Sequence, residues 1–273
     1  MERRTFLATG TAAIAGLAGC LGGDDGGSST TRTTADASGG TTAASIDPES
    51  DGHPPAFEET PDEREIDTDS FDTTEENGVD VPLAPIEATY YWYKRREARF
   101  ADARGRSAYE ESHVYGAVSS PAGNNLGGEG ETADPVTEWP KGDRIVCYCG
   151  CPHHLSAIRA SELINEGYEE VYVIDEGFWE WHDRGYQMAG SNVEGTPEKW
   201  VITGRADAEA GTNAWARHRP SGQREVTDIA ADGRYELHLR FHEVGPNSMI
   251  EVETPAYTVE GRLKDLASGT VRG

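Results

Sequence analysis

The chain is poor in positive charge, in cysteine and in long apolar runs, and each shortage excludes something. Lysine and arginine together number 24 against 49 aspartates and glutamates, a formal net charge of −25. Nucleic-acid binding needs a basic face to displace counterions from phosphates, so no nucleic-acid partner is expected. Lysine is scarce even beside arginine. That balance resembles proteins of high-salt organisms, in which dense carboxylates keep the surface hydrated. Four cysteines are too few and too clustered for a disulfide framework. The early apolar run from Phe6 to Ala18 is too short and too rich in Gly, Ala and Thr to span a bilayer comfortably.

That run fits an export signal over residues 1–19. Arg3 and Arg4 precede Thr5-Phe6-Leu7, which resembles a twin-arginine signal, and Leu17-Ala-Gly-Cys20 resembles a lipobox. Cys20 would then carry lipid and hold the protein on the outer face of the cytoplasmic membrane. The alternative is an ordinary cleaved signal with an incidental cysteine. Residues 20–78 are Gly, Ser, Thr, Asp and Glu with scattered Pro, and they read as an acidic flexible tether.

From residue 79 to 190 the pattern turns globular. Pro85 starts a helix with Ile86, Tyr90 and Tyr93 at helical spacing, and "RFADAR" reads as a short strand. The strand "DRIVCYC" leads through a loop into the helix "HLSAIRASELINEG", which Gly167 ends. "EEVYVIDEG" is the next strand and "FWEWHDRGY" a turn into a short helix. This strand and helix alternation implies a parallel sheet covered on both faces. From 196 to 273, short alternating strands broken at Asp-Gly, Ser-Gly and Gly-Pro-Asn turns imply a second, all-β domain resembling a sandwich. "DIAADGRYELHLRF" resembles the Asp-Gly-x-Tyr strand of transthyretin-like modules. An accessory role, with a possible protein partner, is expected for it.

The chemistry concentrates in "CYCGCPHH", three cysteines and two histidines within residues 147–154. Cys149 follows the strand and precedes the helix, where an open α/β sheet places ligand chemistry. Loop amides and a helix start facing its sulfur favour the thiolate. Such a thiolate can attack a sulfane sulfur and hold the persulfide. Cys147 lies deeper in the strand and reads as a small buried hydrophobe. Cys151 either resolves an oxidised or persulfidated Cys149 or shapes the loop beside Pro152. His153 and His154 serve either helix-start packing or oxyanion recognition.

The ordered set "ADAR", "SHVYGAV", "IVCYC", "GYEEVYVIDEGFWEW" and "RGY" resembles a rhodanese domain over residues 79–190. With the signal, the whole resembles exported lipoproteins of halophilic archaea. The resemblance implies an α/β rhodanese-like fold and a sulfurtransferase that moves sulfane sulfur through a Cys149 persulfide. Thiosulfate or a persulfide would be the donor, and a thiol or a cyanide-like nucleophile the acceptor. It implies supporting, structural places for Asp102 and Arg104, as for His113 and Gly116. Trp181 matches a packing tryptophan, and Trp179 could border the pocket. The anion cradle would be Gly150, Cys151, Pro152, His153, His154 and Leu155. No arginine stands in that loop; the nearest is Arg159, which joins Asp102 and Arg104 as a supporting residue. Phosphatases of the same fold clamp phosphate with arginine where this chain has Leu155, so that chemistry lacks its clamp. No cofactor is expected. Two further readings stand: a non-catalytic binding or redox-sensing module, and a zinc or copper site built on the same cysteines and histidines.

Overall fold

The computed structural model describes residues 50–123, 134–207 and 210–273, all within one compact unit, Gly40–Gly273. The twin arginine, Cys20 and the first part of the expected tether lie outside the described residues. Among the described residues no helix is long and apolar enough to cross a membrane.

The elements run β1 (Asp72–Glu76), β2 (Val79–Ala84), α1 (Ile86–Arg95), β3 (Arg99–Asp102), α2 (Arg106–Glu111), β4 (His113–Val114), β5 (Val118–Ser119), β6 (Arg144–Tyr148), α3 (His154–Asn165), β7 (Glu170–Ile174), α4 (Phe178–Asp183) and β8 (Met188–Ala189). They continue with β9 (Trp200–Arg205), β10 (Asn213–His218), β11 (Gln223–Asp228), β12 (Arg234–Leu239), β13 (Met249–Glu253), β14 (Thr258–Arg262), α5 (Leu263–Leu266) and β15 (Thr270–Val271).

A six-stranded sheet in the order β1-β2-β7-β6-β3-β5 organises the first half. Its five strands from β2 to β5 are parallel, and the central β6 and β7 read as nearly continuous apolar runs because helices cover both faces. β6 lies between β7 and β3, so Ile145, Val146, Cys147 and Tyr148 are wholly buried. One face packs Trp92, Tyr93, Phe100, Phe178 and Trp181 into a single aromatic cluster. The other packs Val81, Ile145, Cys147, Ala160, Leu163 and Val173 beneath α3.

The tether expected over 20–78 is corrected for residues 50–78. Strand β1 pairs antiparallel with β2 and extends the sheet. Phe57 meets Tyr93 with ring centroids 5.4 Å apart, and Phe71 meets Trp92 and Tyr172 at 6.1 Å each. Tyr91 Oη accepts from the Arg64 amide at 2.7 Å and donates to its carbonyl at 3.1 Å. The polar average of this stretch hides three spaced apolar residues, Phe57, Ile66 and Phe71, which cover the outer side of the aromatic cluster.

The second half consists of a four-stranded antiparallel sheet, β11-β10-β13-β14, and a three-stranded one, β12-β9-β15. Both contribute to one core: Ile202, Leu237 and Leu239 from the smaller sheet meet Ala214, Ala216, Ile250 and Val252 from the larger. Alternation along β12 buries Tyr235, Leu237 and Leu239 and exposes Arg234, Glu236 and His238, the pattern of a strand with one dry face. Strand β11 is different. Gln223, Glu225, Val226 and Thr227 are all buried, because the helical half covers the side that would otherwise face water.

Candidate functional site

The site begins where β6 ends. Beyond Tyr148 the chain turns away from the sheet, and the carbonyl of Cys149 accepts from the Phe178 amide at 2.8 Å. Gly177 makes this approach possible: its φ is +79°, and a Cβ there would meet the Cys151 carbonyl oxygen at 2.8 Å. Helix α3 then starts at His154, with His153 in the left-handed region at φ 44°.

Cys149 is wholly buried. Its sulfur stands 3.1 Å from the Cys151 carbonyl, 3.3 Å from Ser156 Oγ and 3.9 Å from Cys151 Sγ. Burial raises its pKa, but hydrogen bonds from the Cys151 thiol, the Ser156 hydroxyl and the Ser156 and Leu155 amides outweigh that and bring it below the ordinary thiol value. The amides aimed at the sulfur are thus those of Leu155 and Ser156, at the C-terminal end of the expected cradle. Ser156 was not anticipated, although a serine one turn into the helix after a reactive cysteine was visible in "CGCPHHLS".

The two other cysteines behave differently. Cys147 faces the core beneath α3, where burial pushes its thiol up to about 12. Cys151 donates to Glu225 Oε1 at 3.0 Å and lies 3.5 Å from His154 Nδ1. The neighbouring Cys149 sulfur, with burial, holds the Cys151 proton well above the usual range. Cys147 belongs to the opposite core and so stands apart from Cys149, Cys151 and His154. Among the described residues no group of three or more His, Cys, Asp or Glu is placed to hold a metal ion.

The positive charge near the loop corrects two expectations. Arg159 turns away from Cys149 into a buried network with Asp134 at 2.7 Å, Ser120 at 2.8 Å and Glu162 at 3.0 Å. Arg104, from the end of β3, takes the place beside the loop. Its Nη2 donates to Asp102 Oδ2 and to the Ser112 carbonyl, both at 2.6 Å, and its guanidinium lies 3.9 Å from the Phe178 ring centroid. Asp102 therefore aims a cation toward the cysteines, and the Cys149 and Arg104 charges favour one another. The Asp-x-Arg spacing was legible as structure; that it carries the site's cation was not.

The histidines divide. His153 lies 3.3 Å from the Asp175 carboxylate. His154 borders the cavity beside Cys151, and burial lowers its pKa, so it is neutral at neutral pH and brings no charge to an anion. Trp181 is core, and Trp179 borders the cavity. His113 is buried against the Tyr109 ring, and Gly116 at φ +91° abuts the His53 carbonyl, so both shape the fold.

The largest departure comes from the β-rich half, which was expected to be an accessory that positions the first domain or binds a partner, without a part in the site. Glu225 on β11 reaches Cys151, and Val226 packs with Cys149, Leu155 and Ile158. Burial, then the Cys149 charge, pushes the Glu225 carboxyl up to about 8. A cavity of about 390 Å³ lies beside this contact, lined by residues of the cysteine loop, β11 and β12. No motif near Glu225 marks it, since "GQREVTD" reads only as an alternating strand.

Residues 89–184 match the family model described as Rhodanese-like domain. Solved structures similar to this chain include a rhodanese-like domain from Anabaena sp., at 21% identity over 47% of this chain and 89% of that one, with a TM-score of 0.36. A protein from Bacillus halodurans matches at 23% identity over 40% and 76%, TM-score 0.33. A thiosulfate sulfurtransferase from Pseudomonas aeruginosa matches at 21% identity over 40% of this chain and 20% of that one, TM-score 0.31. Residues 89–184 of this chain are a rhodanese-like domain.

Proposed function

We propose that the protein is a sulfurtransferase in which Cys149 takes a sulfane sulfur and carries it as a persulfide. The observation that carries this reading is the surroundings of one sulfur: a buried Cys149 whose pKa is nonetheless lowered, with Ser156 Oγ and two helix-start amides pointed at it. A thiolate attacks the outer sulfur of thiosulfate or of a persulfide, the S–S bond of the donor breaks, and sulfite or a thiolate leaves. The same donors then stabilise the persulfide. The test is intact-mass analysis of the protein in high salt with thiosulfate or a persulfide donor. One added sulfur is expected, removed by cyanide and absent from Cys149→Ser. A protein that gains no sulfur from either donor overturns the reading.

The complete burial of Cys149 favours a second reading, a redox-sensing module in which oxidation joins Cys149 to Cys151. A two-hydrogen mass loss under mild oxidant, without any sulfur loading, would select it.

Export and anchoring belong to the same proposal. The twin arginine Arg3-Arg4 and the Leu17 to Cys20 stretch support a signal over residues 1–19 and a lipid on Cys20. Membrane fractionation tests it: Cys20→Ala should release the protein to the soluble fraction, and unchanged retention overturns the anchor.

A further inference from the structure

Cys149 does not touch the cavity; Cys151 does. Cys149 is 0% exposed and absent from the cavity lining, whereas Cys151 forms part of that lining with Sγ 3.9 Å from Cys149 Sγ. A nucleophile in the cavity therefore meets Cys151 first. The opposite wall is built by the β-rich half. Phe241 from that half and the Trp179 ring from α4 are apolar surface of the cavity, with the Arg240 guanidinium 5.0 Å from the Trp179 ring centroid.

The unsatisfied valence in that wall is positive. Arg240 Nη1 is buried without a hydrogen-bond partner, and among the described residues Arg240 pairs with no carboxylate. In a chain with 49 acidic residues against 24 basic ones an unpaired guanidinium is unexpected. The carboxylates on the same cavity are engaged: Glu225 on Cys151, Glu176 on the Ile86 amide at 2.9 Å, and Glu236 beside His238. A guanidinium fork stacked on an indole matches a carboxylate. About 390 Å³ falls within the roughly 300–1,000 Å³ of small-molecule sites and is roomy for an inorganic anion alone.

Resting on the sulfurtransferase reading, we propose that this cavity is the acceptor site, that it takes a small organic thiol bearing a carboxylate held by Arg240, and that sulfur reaches it through Cys151. Cys151 Sγ attacks the outer sulfur of the Cys149 persulfide anion. The bond from that sulfur to Cys149 breaks, and Cys149 leaves as thiolate. Glu225 takes the proton from Cys151 and supplies one to the transferred sulfur, so Cys149–S–S⁻ and Cys151–SH become Cys149–S⁻ and Cys151–S–SH. The acceptor thiol then attacks the outer sulfur of Cys151, leaves as its persulfide, and its proton returns to Cys151 through Glu225. No external oxidant or reductant is consumed. A carboxyl displaced toward neutrality exchanges protons with a thiol more readily than an ordinary one does.

The experiment loads the full chain with one sulfur from thiosulfate, or from a persulfide donor, and follows its discharge by intact mass. The acceptors are mercaptoacetate, 2-mercaptoethanol and cysteamine at equal thiolate concentration. Mercaptoacetate should discharge the protein at least tenfold faster than either of the others, and Arg240→Gln should abolish the difference. Cys151→Ser should load and discharge to cyanide yet retain its sulfur against mercaptoacetate. On the unmutated protein, (methylthio)acetate should protect Cys151 from iodoacetamide and 2-(methylthio)ethanol should not. Equal discharge by all three thiols, or unimpaired discharge from Cys151→Ser, overturns the proposal while leaving sulfur loading intact. Failure to load from either donor removes the sulfurtransferase reading, and this one with it.

Discussion

Cys151 Sγ donates to Glu225 Oε1 across 3.0 Å, joining two residues 74 positions apart in the chain. The cysteine loop and the β-rich half therefore meet directly. Glu225 closes the way to Cys149 with its own carboxyl, and Val226 beside it packs on Cys149 itself.

Replacing Glu225 tests the energetics of that closure. Its carboxyl is pushed up to about 8 from an ordinary 4.5. The folded state therefore binds more protons than the unfolded state between those values, and stability falls as pH rises from about 4.5 through 8. Each unit is worth about 1.4 kcal/mol. Glu225→Gln, which stays neutral, should be more stable than the parent by a few kcal/mol at pH 9 and no more stable at pH 4. Urea midpoints at the two pH values measure this.

Arg104 and Asp102 form a buried pair, with Asp102 0% exposed and Arg104 5%. Arg104→Gln leaves a buried carboxylate without its cation, which costs about 3–5 kcal/mol. It also removes the cation that the Cys149 thiolate faces, so the midpoint of sulfur loading against pH should rise. Urea denaturation and a loading rate profile give the two readouts.

Ser156→Ala removes a hydroxyl 3.3 Å from Cys149 Sγ and leaves the backbone amides in place. The thiol pKa should move up, the thiolate fraction at pH 7 should fall, and loading should slow severalfold at pH 7 and little at pH 9. A loss uniform across pH would assign Ser156 to packing instead.

His242 is buried, with Nε2 unpartnered, and burial followed by the Arg104 charge lowers its pKa to about 4. The unfolded state then binds more protons between about 4 and 6.5, so this residue's share of stability is lost as pH falls through that window. His242→Gln should show a shallower decline than the parent between pH 6.5 and 4 in paired denaturation curves, and parallel curves would remove His242 as the cause.

Most of the helical half was legible because its signals are local. Pro85 before a 3.6-residue aromatic spacing, an apolar run for a strand buried on both faces, and Gly167 after α3 each act over a few residues. The place of Cys149, between the end of a buried strand and a helix start, followed from the same strand, loop and helix order. Residues 50–78 were misjudged because a mean composition cannot register three well-placed apolar side chains. Arg159 was grouped with Arg104 as supporting because nearness in sequence stood in for nearness in space; α3 turns Arg159 toward Asp134, while the parallel pairing of β3 with β6 sets Arg104 beside the loop.

The sequence by itself determined a parallel sheet with a cysteine at the end of a central strand, an amide-rich helix start next to it, and a β-rich segment behind. The tertiary structure alone decided what closes that cysteine. Glu225 and Val226 lie on a strand whose alternation encodes only which face is dry, Arg240 follows the end of another, and the groups they meet are set by how β11 packs against α2 and α3 and how β11 and the end of β12 face the cysteine loop. Hydrogen bonds and charges act over a few ångströms whatever the separation along the chain, so a site assembled from two halves leaves no periodicity to read.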